Sequence, residues 1–276
     1  MQQATLAFIG GGNMAGSLIG GLISDGWNPA SIHVADPDPQ QLNTMLQRSP
    51  DLMVTEDNLA AIKNADAVIL AVKPQILHNV SSDLRDDLQA NRPLIISIAA
   101  GVREADINRW MGGQLPVVRC MPNTPALVQS GATGLFANAL VTAEQKALAE
   151  SILRAAGITV WVDDESLLDA VTALSGSGPA YYFLVMEAMQ AAGEKLGLDK
   201  ETARLLTLQT ALGAARLALE SQDDAATLRQ KVTSKGGTTE RALDVLQKSG
   251  LTQTFEQAMQ AAAERARELA DELGKN

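Results

Sequence analysis

Short apolar runs alternate with helical stretches through the first part of the chain. Leu6-Ala7-Phe8-Ile9, Ile32-His33-Val34-Ala35 and residues 67–72, 94–98, 117–120 and 158–162 each read as a buried strand. Residues 13–24 and 40–47 carry helical patterns between them, and Asp36-Pro37-Asp38-Pro39 and Pro74 stop two of the strands. Continuous rather than alternating apolar runs predict a mostly parallel sheet covered on both faces. The expected fold is therefore an α/β, Rossmann-type doubly wound sheet at the N-terminus. After Asp163 the strand pattern stops, and residues 182–195, 200–219, 239–247 and 252–273 read as helices. This predicts two domains, 1–163 and 164–276, the second all-α. Ala188, Ala191, Ala192, Ala211, Gly213, Ala214 and Ala215 are small residues on those helices. They suit close helix packing, including against a second subunit, and Ala also favours helix by propensity alone.

Composition narrows the chemistry. The 276 residues carry a net charge of −10, one cysteine (Cys120) and two histidines (His33 and His78). One cysteine forms no intrachain disulfide, and so few Cys and His, in no ligand spacing, oppose a zinc site or a Ser-His-Asp triad. No metal is expected. The acidic balance opposes nucleic-acid and membrane-surface partners. No apolar run approaches a membrane span, and the N-terminus shows no signal-peptide pattern. A cytoplasmic protein is the expectation.

The glycine punctuation points to a cofactor. Gly10-Gly11-Gly12-Asn13-Met14-Ala15 fits G-x-G-x-x-A between a strand and a helix, the setting that lets backbone N–H groups cradle a pyrophosphate. A glycine turn without ligand would use the same residues. Asp36 closes the second strand. It reads either as the acid that binds an adenosine 2′-hydroxyl and repels a 2′-phosphate, favouring NADH, or as a turn and cap residue beside the prolines. Ala71-Val72-Lys73-Pro74, Ala99-Ala100-Gly101 and Met121-Pro122-Asn123-Thr124-Pro125 follow other strands, at the sheet edge where such folds bind ligands. In the helical half, Thr233-Ser234-Lys235-Gly236-Gly237-Thr238-Thr239 opens a helix and reads as an anion site suited to a small carboxylate.

Taken in order, the segments from Phe8 to Ala15, Ala71 to Pro74, Met121 to Pro125, Gly176 to Tyr181 and Thr233 to Thr239 resemble those of pyrroline-5-carboxylate reductases, and the likeness spans nearly the whole chain. The resemblance implies NADPH- or NADH-dependent reduction of 1-pyrroline-5-carboxylate to L-proline, and a homodimer with interleaved helical domains, commonly assembled into decamers. It implies that Ile9, Gly10, Gly11, Gly12, Asn13 and Met14 hold the pyrophosphate. Asn58, Ala71, Val72, Lys73, Pro74, Ile98, Ala99 and Ala100 would line the cofactor cleft. Thr233, Ser234, Gly236, Gly237, Thr238 and Thr239 would hold the substrate, often from the partner subunit. Thr239 would contact the imine nitrogen as the catalytic hydroxyl. Lys235 stands where the family usually has Pro, and Asp224-Ala225 where it often has His-Pro. Many members prefer NADPH, against which Asp36 weighs. Two other readings compete, a β-hydroxyacid dehydrogenase and a dinucleotide-binding sensor without turnover. The first lacks its catalytic Lys after Gly176-Ser177-Gly178, and the second would need no second ligand site.

Overall fold

A computed structural model describes residues 4–275. The strands are β1 (Leu6–Ile9), β2 (Ile32–Ala35), β3 (Met53–Thr55), β4 (Ala67–Leu70), β5 (Leu94–Ser97), β6 (Val117–Met121), β7 (Gly131–Ala137) and β8 (Gly157–Trp161). They form one sheet in the order β3-β2-β1-β4-β5-β6-β7-β8. The helices interleaved with them are α1 (Asn13–Ser24), α2 (Pro39–Arg48), α3 (Asn58–Ile62), α4 (Pro74–Asp83), α5 (Arg85–Asn91), α6 (Glu104–Trp110), α7 (Ala143–Arg154) and α8 (Leu167–Val171).

The strands read as continuous apolar runs because both sheet faces are covered. Leu6, Phe8, Val34, Ile69 and Ile96 face Leu18, Leu22, Met45 and Ile152 of α1, α2 and α7. Ala7, Ile9, Val68, Leu70 and Ile95 face Leu77, Leu88, Ile107 and Trp110 of α4, α5 and α6. Each such side chain contributes about 1.5–3 kcal/mol on burial. This is the doubly wound arrangement expected from the sequence.

Two strands escaped the sequence pattern. β3 is short and half-exposed. β7 is Gly-Ala-Thr-Gly-Leu-Phe-Ala, and its glycines look like loop punctuation. They serve close packing instead, since a Cβ on Gly134 would lie 2.8 Å from Val171 Cγ1 and one on Gly131 2.8 Å from the Ala156 carbonyl oxygen. β7 runs antiparallel to β6 and parallel to β8, so the sheet is mixed at that end.

The remaining helices are α9 (Gly178–Lys195), α10 (Lys200–Glu220), α11 (Ala225–Lys231), α12 (Thr238–Lys248) and α13 (Leu251–Leu273). Among the described residues no strand follows Trp161, so the change of secondary structure falls near residue 163. Contacts divide the chain differently, into one compact unit of residues up to Ser177 plus those from Ala262 onward, and a second of Gly178–Ala261. The end of α13 joins the first unit through chemistry that its start lacks. Leu273 packs on the α4–α6 side of the core, Asp271 pairs with Arg103 at 2.6 Å, and Arg109 donates to the Gly274 carbonyl. In the second unit, α9 and α10 pack together yet leave Phe183 64% and Leu212 62% exposed. Among the described residues no helix is long and apolar enough to cross a membrane.

Candidate active site

Parallel register aligns the carboxyl ends of the central strands. Ile9 pairs with Ala35 and with Leu70, and Leu70 with Ser97. The next residues, Gly10, Asp36, Ala71 and Ile98, therefore share one sheet edge. Here the chain turns tightly. Gly10 has φ +103°, and a Cβ on it would sit 2.7 Å from the Ala71 carbonyl oxygen. Its N–H donates to the Ala35 carbonyl, and Ala71 N–H donates to the Ile9 carbonyl. Only glycine fits that conformation and that approach. β4 ends at Leu70, two residues before the apolar run ends.

Gly12 is the N-cap of α1, with no side chain capping it, and a Cβ there would meet nothing within 4 Å. The first turn thus offers the N–H groups of Asn13, Met14 and Ala15 to an open space, the condition for seating a phosphate at a helix N-terminus. The residues present fit a dinucleotide pyrophosphate.

Asp36 does more than either sequence reading assigned it alone. Its Oδ2 accepts from Gly11 N–H at 2.7 Å, and its Oδ1 accepts from Asp38 N–H at 2.9 Å. Asp38 then caps α2 by accepting from Gln40 N–H. The carboxylate therefore clamps the glycine loop onto the β2 turn and leaves a negative charge beside the loop.

The other expected cofactor residues gather on this edge. Asn58 opens α3 behind its cap Asp57 and is half-buried. Ala71 and Val72 are half-buried, Lys73 is exposed at the N-cap of α4, and Pro74 is that helix's first residue. Ile98 and Ala99 are buried, and Ala100 is exposed.

Two features of the edge carried no sequence signal as a pair. Asn123, half-buried after β6, donates to the Ser175 carbonyl at 3.2 Å and to Ser175 Oγ at 3.1 Å, and accepts from Ala132 N–H at 2.9 Å. It pins a π-helical turn, Thr172–Gly176, that closes with Ser177 N–H on the Thr172 carbonyl. Arg119, 6% exposed in β6, donates to Glu165 Oε1 at 2.8 Å, and the same oxygen accepts from Glu104 N–H. Burial holds the neighbouring Asp169 carboxyl above its ordinary range, opposed by Arg119, Arg267 and Arg103. Burial likewise pushes the Cys120 thiol far up, only partly offset by Arg119, which disfavours the thiolate form.

The 233–239 loop lies in the second unit. Thr233 Oγ1 donates to the Arg229 carbonyl at 2.6 Å, and Gly236 takes φ +74°. Gly237 N–H donates to the Ser234 carbonyl at 3.0 Å, and Gly237 then caps α12 without a side-chain bond. Ser234, Thr238 and Thr239 present exposed hydroxyls around that helix start. Glu240, absent from the sequence reading, accepts from Gly236 N–H at 2.7 Å and orders the loop from inside α12. Asp224 has a plain role as the N-cap of α11, accepting from Thr227 N–H at 2.7 Å, which lowers its carboxyl pKa.

Comparison with known proteins matches both the sheet and the helical segment. The family described as pyrroline-5-carboxylate reductase dimerisation matches residues 165–269, and the one described as NADP oxidoreductase coenzyme F420-dependent matches residues 5–101. The helical segment is thus a dimerisation segment. The chain is 51% identical over 275 residues to a pyrroline-5-carboxylate reductase of Pseudomonas aeruginosa, covering 100% of each. The structure of a pyrroline-5-carboxylate reductase from Coxiella burnetii is similar over 98% of this chain and 99% of that one, with TM-score 0.94 and 49% identity. A pyrroline carboxylate reductase of Plasmodium falciparum, with NADP bound, is similar over 98% of this chain and 99% of that one, with TM-score 0.85 and 28% identity. With the glycine loop, the sheet edge and the helical segment all matched from end to end, the chain belongs to the pyrroline-5-carboxylate reductase family.

Proposed function

We propose that the chain reduces 1-pyrroline-5-carboxylate to L-proline, the last step of proline biosynthesis, with NADPH or NADH. The full-length identity of 51% to a pyrroline-5-carboxylate reductase carries this reading. It displaces the β-hydroxyacid dehydrogenase and the sensor. The bound dinucleotide supplies a hydride to the carbon of the substrate's C=N bond. Residues Ile9 to Met14 hold its pyrophosphate, and Asn58, the Ala71–Pro74 turn and Ile98 to Ala100 line the rest of its site. The Thr233–Thr239 loop holds the substrate carboxylate with N–H groups and hydroxyls, and Thr239 Oγ1 hydrogen-bonds the imine nitrogen. Position and field are the protein's contribution. We place the protein in the cytoplasm as a homodimer that assembles further into a decamer.

Purified protein mixed with 1-pyrroline-5-carboxylate is expected to oxidise NADPH or NADH, read as loss of reduced-nicotinamide absorbance. No oxidation with either cofactor would sink the proposal.

Asp36 sets the balance between the two cofactors. Its negative charge opposes a 2′-phosphate more than a 2′-hydroxyl. Asp36→Ser is expected to raise the ratio of kcat/KM for NADPH over NADH about tenfold, or roughly 1.4 kcal/mol. Loosening of the Gly11 clamp affects both cofactors alike and cancels in that ratio. An unchanged ratio would reduce Asp36 to a turn residue.

A further inference from the structure

The Thr233–Thr239 loop closes on a single four-residue turn. Gly237 N–H donates to the Ser234 carbonyl at 3.0 Å, Gly236 takes φ +74°, and Lys235 is not among the residues with positive φ. Positive φ at the third position alone makes this a type II turn. A type I turn differs from it by rotation of the central peptide, here the one between Lys235 and Gly236. Nothing local forbids that flip, because glycine takes either sign of φ. Proline in the second position is common in type II turns, and Lys235 stands there instead. Glu240 supplies a restraint on this peptide. It is the third residue of α12, half-buried, and reaches back past the N-cap Gly237 to accept from Gly236 N–H at 2.7 Å. In an ordinary capping box the third residue takes the N–H of the N-cap itself. Shifted by one residue, the bond fastens the peptide that flips.

We propose that Glu240 is a positioning residue for the substrate. By holding the Lys235–Gly236 peptide in its type II orientation, it keeps the donors at the start of α12 set for a carboxylate. A flip would turn the Lys235 carbonyl toward that start, an acceptor among donors. Glu240 itself uses only Gly236 N–H. Gly237 caps the helix without a side-chain bond, so the N–H groups of Thr238 and Thr239 in the first turn stay open to an anion. The negative charge of Glu240 also suits the first turn of a helix, so the bond holds without a further partner. The inference rests on the reading of this loop as the substrate site.

The test uses the full chain, with steady-state kinetics and amide hydrogen exchange of residues 233–239 read by mass spectrometry. Glu240→Ala is expected to speed that exchange. It should raise KM for 1-pyrroline-5-carboxylate about fivefold, because apparent affinity falls with the fraction of loop in the competent turn. The same reasoning leaves kcat and the cofactor KM within about twofold. Glu240→Gln keeps an acceptor for Gly236 N–H and should recover most of the loss in both readouts. Lys235→Pro added to Glu240→Ala should recover part of it, since Pro-Gly favours the same turn. Unchanged exchange in Glu240→Ala would overturn the lock. Faster exchange with KM unmoved, in a chain that Thr239→Ala disables, would overturn the positioning role alone and leave the loop as the substrate site. Faster exchange with both Glu240→Ala and Thr239→Ala silent in turnover would overturn the substrate site and the inference with it.

Discussion

Thr239→Ala is expected to lower kcat with 1-pyrroline-5-carboxylate about a hundredfold, or roughly 2.7 kcal/mol, the low end for loss of a group acting on a reacting nitrogen. Cofactor affinity, read by fluorescence titration of the reduced nicotinamide, should stay within twofold, because Thr239 and the glycine loop belong to different units of the fold. Thermal stability should hold as well. The side chain is exposed, and α12 is capped by the backbone of Gly237 rather than by a threonine hydroxyl. Thr239→Ser, which keeps the hydroxyl, should recover most of the rate. Turnover of Thr239→Ala equal to that of the parent would remove this residue from the reaction.

The second large effect separates two glycines two residues apart in the same motif. Gly10→Ala forces an L side chain to φ +103° and into the Ala71 carbonyl. Strain and overlap together should cost about 3 kcal/mol. At roughly 2–4 °C per kcal/mol for a chain of this size, the melting temperature should fall by about 6–12 °C. Gly12→Ala meets no atom within 4 Å and keeps an ordinary φ of −70°. Its methyl enters the space assigned to the pyrophosphate. The melting temperature should therefore stay put while the cofactor dissociation constant rises about tenfold or more, near 1.4 kcal/mol. Equal effects of the two substitutions on melting would mean that the open space beside Gly12 is not the phosphate seat.

Most of the first unit was legible in the chain. β1 and β4 announce themselves as unbroken apolar runs, and β2, β5 and β6 as runs broken only by His33, Ser97 and Arg119, because both sheet faces are covered there, and that pattern survives without knowledge of neighbours. The glycine loop was legible because its spacing encodes backbone approach. β7 was not. Its glycines signal a turn locally, yet are selected by Val171 and Ala156, which lie far along the chain.

The candidate site divides in the same way. The residue types of the Thr233–Thr239 loop mark an anion site from their order alone, since hydroxyls and glycines at a helix start expose donors wherever the helix lies. That Glu240 orders this loop, that Asn123 pins the turn at Ser175, and that Arg119 is neutralised by Glu165 depended on side chains reaching across the fold.

The sequence by itself determined the strand and helix periods, the glycine loop and the family, because each is written in residue spacing. Only the tertiary structure decided what Asp36 holds and why Gly10 and Gly12 differ. Those depend on distances between segments that the chain separates and the core brings together.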